Sequence, residues 1–208
     1  YSSTAAVYGN KKKKVSERDI IKPLTPYSSS KVLLEKYLEK NKEKLSCIIL
    51  RYFNVAGADT HLRCGFDINR GKNLFLNLCH SVTKKKKFKI YGKSHNTKDG
   101  TTVRDFIHVN DLSEIHYKLS KLILKKKIFF KLNCGYGFGF SVLEILHKFV
   151  NVSKKKINYE FTKRRKGDIV VSISNSSKLK KIINWKPKYQ SLNYLVQSSL
   201  NWYKKMAK

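Results

Sequence analysis

Tyr27 and Lys31 stand four positions apart in "TPYSSSKVLLEKYL", residues 25–38. On a helix this spacing puts both side chains on one face. A phenol with an ordinary pKa near ~10 is a poor base at neutral pH. A lysine ammonium held beside it favours the phenolate and lowers that value. The pair therefore has the chemistry of a general base and the cation that activates it. In a chain this rich in lysine the spacing alone also arises by chance, so its weight comes from where it sits. Thr4 places a hydroxyl near the C-terminal end of the first strand-like segment, where open α/β sheets put their ligands.

The elements that must carry these groups follow from the hydrophobic pattern. "AAVYG", residues 5–9, reads as a strand end closing on glycine. Residues 10–26, with Pro23 and Pro26, read as loop. A helix is predicted from about Ser28 to Glu43, with Val32, Leu34, Tyr37 and Leu38 as its apolar stripe. "SCIILRYF", residues 46–53, is the near-continuous apolar run of a strand buried on both faces. Residues 55–72, with Gly57, Gly65 and Gly71, read as loop. A helix at 74–83, a strand at 88–92, a turn and a strand at 103–109 come next. A helix capped by Asn110 or Asp111, a strand at 129–135, and a helix capped by Ser141 follow. A strand near Tyr159, the loop "TKRRKGD" and two short helices complete the chain. Strand, helix and strand in this order predict an α/β fold with a doubly wound parallel sheet.

Composition narrows the class. The 208 residues are 41% hydrophobic, enough for one domain core or two small lobes. The net charge of +31 first suggests nucleic acid. The residues in excess, however, are Lys, Ile, Asn, Phe and Tyr, all compatible with A/T-rich codons. The lysines fall in runs at 11–14, 84–87, 125–127 and 154–156, where loops and element ends are expected. Compositional drift is the favoured explanation, and a dedicated nucleic-acid face is not expected. Cys47, Cys64, Cys79 and Cys134 form no C-x-x-C pair and read as reduced thiols. No His/Cys/Asp/Glu spacing suggests a metal. No apolar run approaches the ~20 residues of a membrane span, and a cytoplasmic location is expected. The chain starts at Tyr1, inside strand-like sequence, and is read as a C-terminal fragment.

The order and spacing of "SSTAAVYG", "YSSSK", "LRYFNVAGAD", "DGTTVRDFIHVNDL", "LNCGYGFGFSVLEI", "RRKGD" and "INWKPKY" resemble the UDP-glucose 4-epimerases. These are a branch of the extended short-chain dehydrogenase/reductases. The resemblance runs from Tyr1 to about Tyr203. It implies a Rossmann-type sheet with a smaller α/β substrate domain. Residues 1–54 and the return segment 104–135 would belong to the Rossmann domain, and 55–103 and 136–208 to the substrate domain. It implies NAD as cofactor, a UDP-hexose as substrate and a homodimer when complete. Tyr27 then matches the catalytic tyrosine and Lys31 the lysine that holds the nicotinamide ribose. Thr4 matches the hydroxyl residue at the sugar 4-oxygen, and Phe53 lines the nicotinamide pocket. Asn54, Asn73 and Leu74 reach the diphosphate, and Phe88, Lys89, Ile90 and Tyr91 form the strand against the uracil. Arg104 and Arg165 hold the diphosphate and Asp168 the uridine ribose. Ser172 lies near the sugar C2 substituent, where a small side chain leaves room for an N-acetyl group.

Each position also has a plain reading: Thr4 as a strand-end hydroxyl, Phe53 as core, Asn54 as a turn residue, the arginines as solvated charges. His108 reads as a packed strand histidine. Two departures stand out. Phe106 replaces a tyrosine frequent in the family, and no G-x-x-G-x-x-G loop follows a first strand. A sugar dehydratase is disfavoured, because Ala5 and Ala6 stand where an Asp-Glu pair is needed. An inactive gene remnant and a nucleic-acid-binding protein on an epimerase-like scaffold remain as alternatives.

Overall fold

The computed structural model describes residues 1–11, 14–70 and 73–207. Lys12 and Lys13 of the first lysine run, Gly71 and Lys72 of the expected loop, and Lys208 lie outside the described residues. The elements follow in the order β1 (Ser2–Thr4), α1 (Pro26–Lys40), β2 (Cys47–Tyr52), β3 (Asn54–Ala56), α2 (Leu74–Lys84), β4 (Phe88–Tyr91), β5 (Val103–Arg104), β6 (Phe106–His108) and α3 (Val109–Lys125). Then come β7 (Phe129–Cys134), β8 (Phe140–Ser141), α4 (Val142–Ser153), β9 (Tyr159–Thr162), β10 (Val171–Ser172), α5 (Ser177–Ile183) and α6 (Leu192–Met206).

β1, β2 and β7 form a parallel sheet in the order β1-β2-β7. Its strands alternate sides, as a pleated strand must. Ile48, Leu50 and Leu132 face α3 and pack with Ile115 and Leu119. Ser3 and Arg51 face α1 and meet Glu35. Helices on both faces give the expected doubly wound arrangement. A second core gathers α2, α4, α6 and β4 around Phe75, Leu78, Ile90, Phe149 and Leu195. Two-stranded β4-β9 and β3-β6 and the three-stranded β10-β5-β8 surround it. Leu179 and Trp185, which the expected division gave to the substrate domain, instead pack against the three-stranded parallel sheet.

Several expectations are corrected. Ala5–Tyr8 is a short 3₁₀ turn, capped by Thr4, and not the end of a strand. α1 starts two residues early because Thr25 and Ser28 cap each other reciprocally and Pro26 occupies the first turn. Its apolar stripe is only in part the buried face. Of that stripe Val32 is buried, whereas Leu34 and Tyr37 are 41% and 62% exposed. Ser28 and Glu35 complete the buried face, so the contact is built largely on an ion pair that hydrophobic periodicity does not report. The expected loop after Phe53 begins with β3, which pairs with β6. α3 is capped by His108, whose Nδ1 accepts the Asn110 N–H, and not by Asn110 or Asp111. Asp111 is buried and accepts bonds from the Tyr136 hydroxyl and the Lys188 and Tyr189 N–H groups.

The single strand expected over 103–109 is broken at Asp105 into β5 and β6, which join different sheets. The break has a chemical cause. The Asp105 carboxylate accepts from Tyr136 N–H (2.8 Å), Gly137 N–H (2.9 Å), Ser174 N–H (3.1 Å) and Ser174 Oγ (2.6 Å). Gly135 is required beside it, since a Cβ there would lie 2.6 Å from Asp105 Oδ2. Burial pushes the Asp105 carboxyl above its ordinary range, against hydrogen bonds that favour the ionised form. Asp105→Asn points an amide N–H₂ at donors on one side or the other. The expected loss is about 3 kcal/mol in urea unfolding with an unchanged m-value; a loss below ~1 kcal/mol would show that the carboxylate is not the hub.

Candidate active site

Tyr27 and Lys31 lie in the first turns of α1, beside the parallel sheet. The Lys31 ammonium donates to the Ser2 carbonyl at 2.9 Å, tying the helix to β1. The same nitrogen sits 5.2 Å from the Tyr1 ring centroid and 5.7 Å from that of Tyr27. Tyr27 is 57% exposed. Thr4 accepts the Ala6 N–H at 3.2 Å, capping the 3₁₀ turn, and its hydroxyl proton stays free to donate. Lys31 and Tyr27 thus lie together against the first residue of β1, and Thr4 ends the same strand two residues on. Phe53 is buried among Ala5, Val7, Tyr8 and Val32, under the same helix.

Asn54, the next residue, lines a separate cavity of about 340 Å³. Asn73, Leu74, Phe88, Lys89, Ile90, Tyr91, Arg104, Arg165 and Asp168 line it too. The structure therefore brings together every expected substrate-binding residue except Ser172. That residue lies in β10, in register with Arg104 of β5, outside this lining. The cavity also uses Asn77 and Thr102, which sequence reasoning missed. Asn77 was findable, because it lies one helical turn after Asn73. Phe106, where the family pattern favours tyrosine, lines the wall and packs edge-to-face on Phe75.

The cavity is cationic, and its two arginines are held in place. Arg104 donates to Asp168 Oδ1 at 2.8 Å and to the Val103 and Val170 carbonyls at 3.0 and 3.2 Å. Burial pulls its guanidinium below its ordinary value, against Asp168, yet from so high a start that it stays charged. The Arg165 guanidinium carbon lies 3.6 Å from the Tyr91 ring centroid, a cation–π stack. A hydrogen bond from Arg165, and its charge, lower the Tyr91 phenol. Asn73 Oδ1 caps α2 by accepting the Leu76 N–H at 2.8 Å, so its amide N–H₂ remains for a ligand. The positive end of α2 adds to the same field.

Other features are structural. His108 is buried, its Nε2 3.1 Å from Ser198 Oγ and its Nδ1 used as a cap. Burial lowers its pKa. A larger groove of about 650 Å³ lies along β7, lined in part by Glu17, Glu39 and Lys131. These groups already have partners, Lys131 with Glu39 at 2.7 Å and Glu17 with the Asn133 N–H at 2.8 Å. Among the described residues no three His, Cys, Asp or Glu side chains gather as a metal site, and no helix is long and apolar enough to cross a membrane.

The profile of the family described as "NAD dependent epimerase/dehydratase family" matches residues 1–133. The chain belongs to this family. Among individual proteins, this epimerase/dehydratase chain is 36% identical over 208 residues to the UDP-glucose 4-epimerase of Halalkalibacterium halodurans, covering 98% of the chain and 62% of that relative. The Bacillus subtilis UDP-glucose 4-epimerase is 35% identical, with 97% of the chain and 61% of the relative covered. The chain thus spans about three-fifths of the length of these relatives. In structure it is similar to the Stenotrophomonas maltophila UDP-glucose-4-epimerase with bound NAD and formylated UDP-arabinopyranose. There the TM-score is 0.94 at 29% identity, over 99% of the chain and 63% of the other. The Bifidobacterium longum UDP-glucose 4-epimerase in complex with NAD⁺ and UDP gives a TM-score of 0.89 at 33% identity, over 98% and 62%. The sheet is Rossmann-type, as in these neighbours.

The Arg165–Tyr91 stack sets a testable titration. In Arg165→Gln the Tyr91 phenol loses its cationic donor, so its deprotonation moves to higher pH. The difference in phenolate absorbance between Tyr91 and Tyr91→Phe proteins isolates the group; an unchanged midpoint would mean that the contact is absent in solution.

Proposed function

We propose that this chain carries the base and the sugar-nucleotide site of a UDP-glucose 4-epimerase. The observation that supports it most is the junction Phe53–Asn54. Phe53 packs beneath the helix that presents Tyr27 and Lys31, and the next residue lines the cationic cavity. A base and a diphosphate site are thereby joined through one peptide bond. Two guanidiniums suit a diphosphate because each offers paired N–H donors. Tyr91 and Phe88 offer aromatic surface for a base, and Asp168 an acceptor for ribose hydroxyls.

The donor set fits the nicotinamide ribose of NAD. Lys31 has three N–H donors and spends one on Ser2, leaving two beside the Tyr27 ring. The sequence supplies no glycine-rich pyrophosphate loop, so the fit concerns the ribose end. NAD, when bound, supplies the oxidation and re-reduction at C4. Tyr27 takes the proton of the sugar 4-hydroxyl and later returns it, with Thr4 bridging the two oxygens. Arg104 and Arg165 keep the diphosphate anchored while the 4-keto sugar turns over, which presents its other face and inverts C4.

The same reading includes a homodimer. The exposed Leu33 and Tyr37 on α1 supply apolar surface that a second copy would cover. Sedimentation of the intact enzyme at the mass of a dimer is expected; a monomer at micromolar concentration would refute it.

The activity is tested by turnover of UDP-glucose and UDP-galactose by the intact enzyme. Tyr27→Phe should cost roughly 10²- to 10⁴-fold in kcat with no fall in thermal midpoint. Retention of half the parent turnover would remove Tyr27 from its role. Ser172→Tyr should cost far more with UDP-N-acetylglucosamine than with UDP-glucose, and equal losses would show that Ser172 does not face the C2 substituent.

A further inference from the structure

α1 has an unusual means of attachment. A helix usually takes its rotation from an apolar stripe, but this one buries Ser28, Val32 and Glu35 and leaves Leu33, Leu34 and Tyr37 exposed. One valine does not define a rotation. Glu35 is the remaining candidate, and it lies four and eight positions after Lys31 and Tyr27, on their face of the helix.

Glu35 is 2% exposed and Arg51 1%. Arg51 Nε donates to Glu35 Oε1 at 3.0 Å and Nη2 to Oε2 at 2.5 Å, a two-pronged fork. Ser3 Oγ also donates to Oε1. The third edge of the guanidinium donates to Tyr8 OH at 2.8 Å, and Tyr8 OH to Asn133 Oδ1 at 2.7 Å. Both carboxylate oxygens are therefore fixed in position and angle by β1 and β2. Ser3 follows Ser2, whose carbonyl receives Lys31. The Ser3–Glu35 hydrogen bond and the lysine contact thus fasten neighbouring residues of β1 to two successive turns of one helix, and the ion pair ties the same helix to β2.

We propose that Glu35 and Arg51 are positioning residues for the Tyr27–Lys31 pair, setting the rotation and axial register of α1 so that the Lys31 ammonium reaches the Ser2 carbonyl between the rings of Tyr1 and Tyr27. Removing one partner would only report the cost of an unpaired buried charge. An apolar replacement of the whole unit separates the two roles, because well-packed apolar residues commonly replace a buried pair without loss of stability. The variant is Ser3→Ala with Glu35→Leu and Arg51→Met. A merely structural pair would be fully replaced by it. A positioning pair would not, since a misplacement of about 1 Å at reacting groups costs on the order of 10²-fold in rate.

The first measurement needs no activity. The Lys31 ε-methylene NMR signals, assigned by their loss in Lys31→Met, carry ring-current shifts from Tyr1 and Tyr27. In the folded triple variant they are expected to collapse toward those of a free lysine; unchanged shifts overturn the proposal. If the triple variant does not fold, Glu35→Asp decides. It keeps the charge but withdraws the carboxylate by one methylene, so the Lys31 shifts should move part of the way, and unchanged shifts again overturn the proposal. The second measurement rests on the epimerase reading. In the intact enzyme the folded variant should lose roughly 10²-fold in kcat, with the KM for UDP-glucose within about twofold of the parent, because the cavity lies on other elements. Full turnover by the folded triple variant overturns the proposal. An inactive parent would refute the epimerase reading alone, and the NMR result would still decide the positioning.

Discussion

The buried Arg51–Glu35 pair is the constraint on which the arrangement of the sheet lobe depends. Taking both ions out of water costs several kcal/mol each, and the structure offsets that cost by giving nearly every donor and acceptor of the pair a partner. Burial pulls the Arg51 guanidinium down, but its bonds to Glu35 and the nearby Tyr8 and Glu35 groups hold it well above its ordinary value. Burial pushes the Tyr8 phenol up to about 12, so it serves as a neutral donor and acceptor. From Tyr8 the network runs to Asn133 of β7, whose amide also donates to the Val15 and Asn175 carbonyls. One connected set of hydrogen bonds thus fastens α1, three strands and two loops. Each bond is directional, so the set defines an arrangement that apolar packing of one valine would leave loose.

Asp105 does the corresponding work in the second lobe. A strand running straight from Val103 to Val109 would have put Arg104 and Phe106 on the same face. The turn imposed at Asp105 lets β5 join β8 and β10 while β6 pairs with β3. Arg104 then pairs with Asp168 in the cavity lining, and Phe106 packs edge-to-face on Phe75 and Phe75 on Phe149. Because β3 follows β2 after a single residue, Phe53, the carboxylate that bends one strand also fixes where the cavity lies relative to the sheet. The two lobes are linked by short covalent paths and buried carboxylates, a stiffer connection than a surface linker provides.

What the sequence made legible was local in origin. The apolar run at 46–53 is a buried strand because such runs have few other uses, and Ser141 caps α4 with Glu144 as its residue types require. The cavity residues were found through family order, since Asn54, Asn73, Arg104 and Arg165 are far apart in the chain and unremarkable one by one. The misses share a cause. Glu35 on a lysine-rich helix looks like a solvated charge, and Arg51 lies 16 residues away. Only the folded register shows that they meet. The α1 stripe held at Val32 and misled at Leu34 and Tyr37 for the same reason, as periodicity reports where apolar residues are and not which face is buried. β8 and β10 are two residues long and leave no periodic trace at all.

The charge distribution follows from the same division between fixed and free positions. The chain has only 14 acidic residues against 45 Lys and Arg, yet Glu35, Asp59, Asp105 and Asp111 are all buried. Each of these four carboxylates accepts several hydrogen bonds. The lysine excess lies where it disturbs least. The run at 84–87 follows the end of α2, 125–127 the end of α3, and 154–156 the end of α4. Helix C-termini carry partial negative charge, so cations there are favourable and solvated. Lys85 and Lys154 even take the left-handed cap position, with φ of 53° and 57°, a place where glycine is usual. A lysine-rich surface thus surrounds an interior whose few carboxylates are held by geometry, and in the candidate site Lys31, Arg104, Arg165 and Asp168 each have a partner that fixes them.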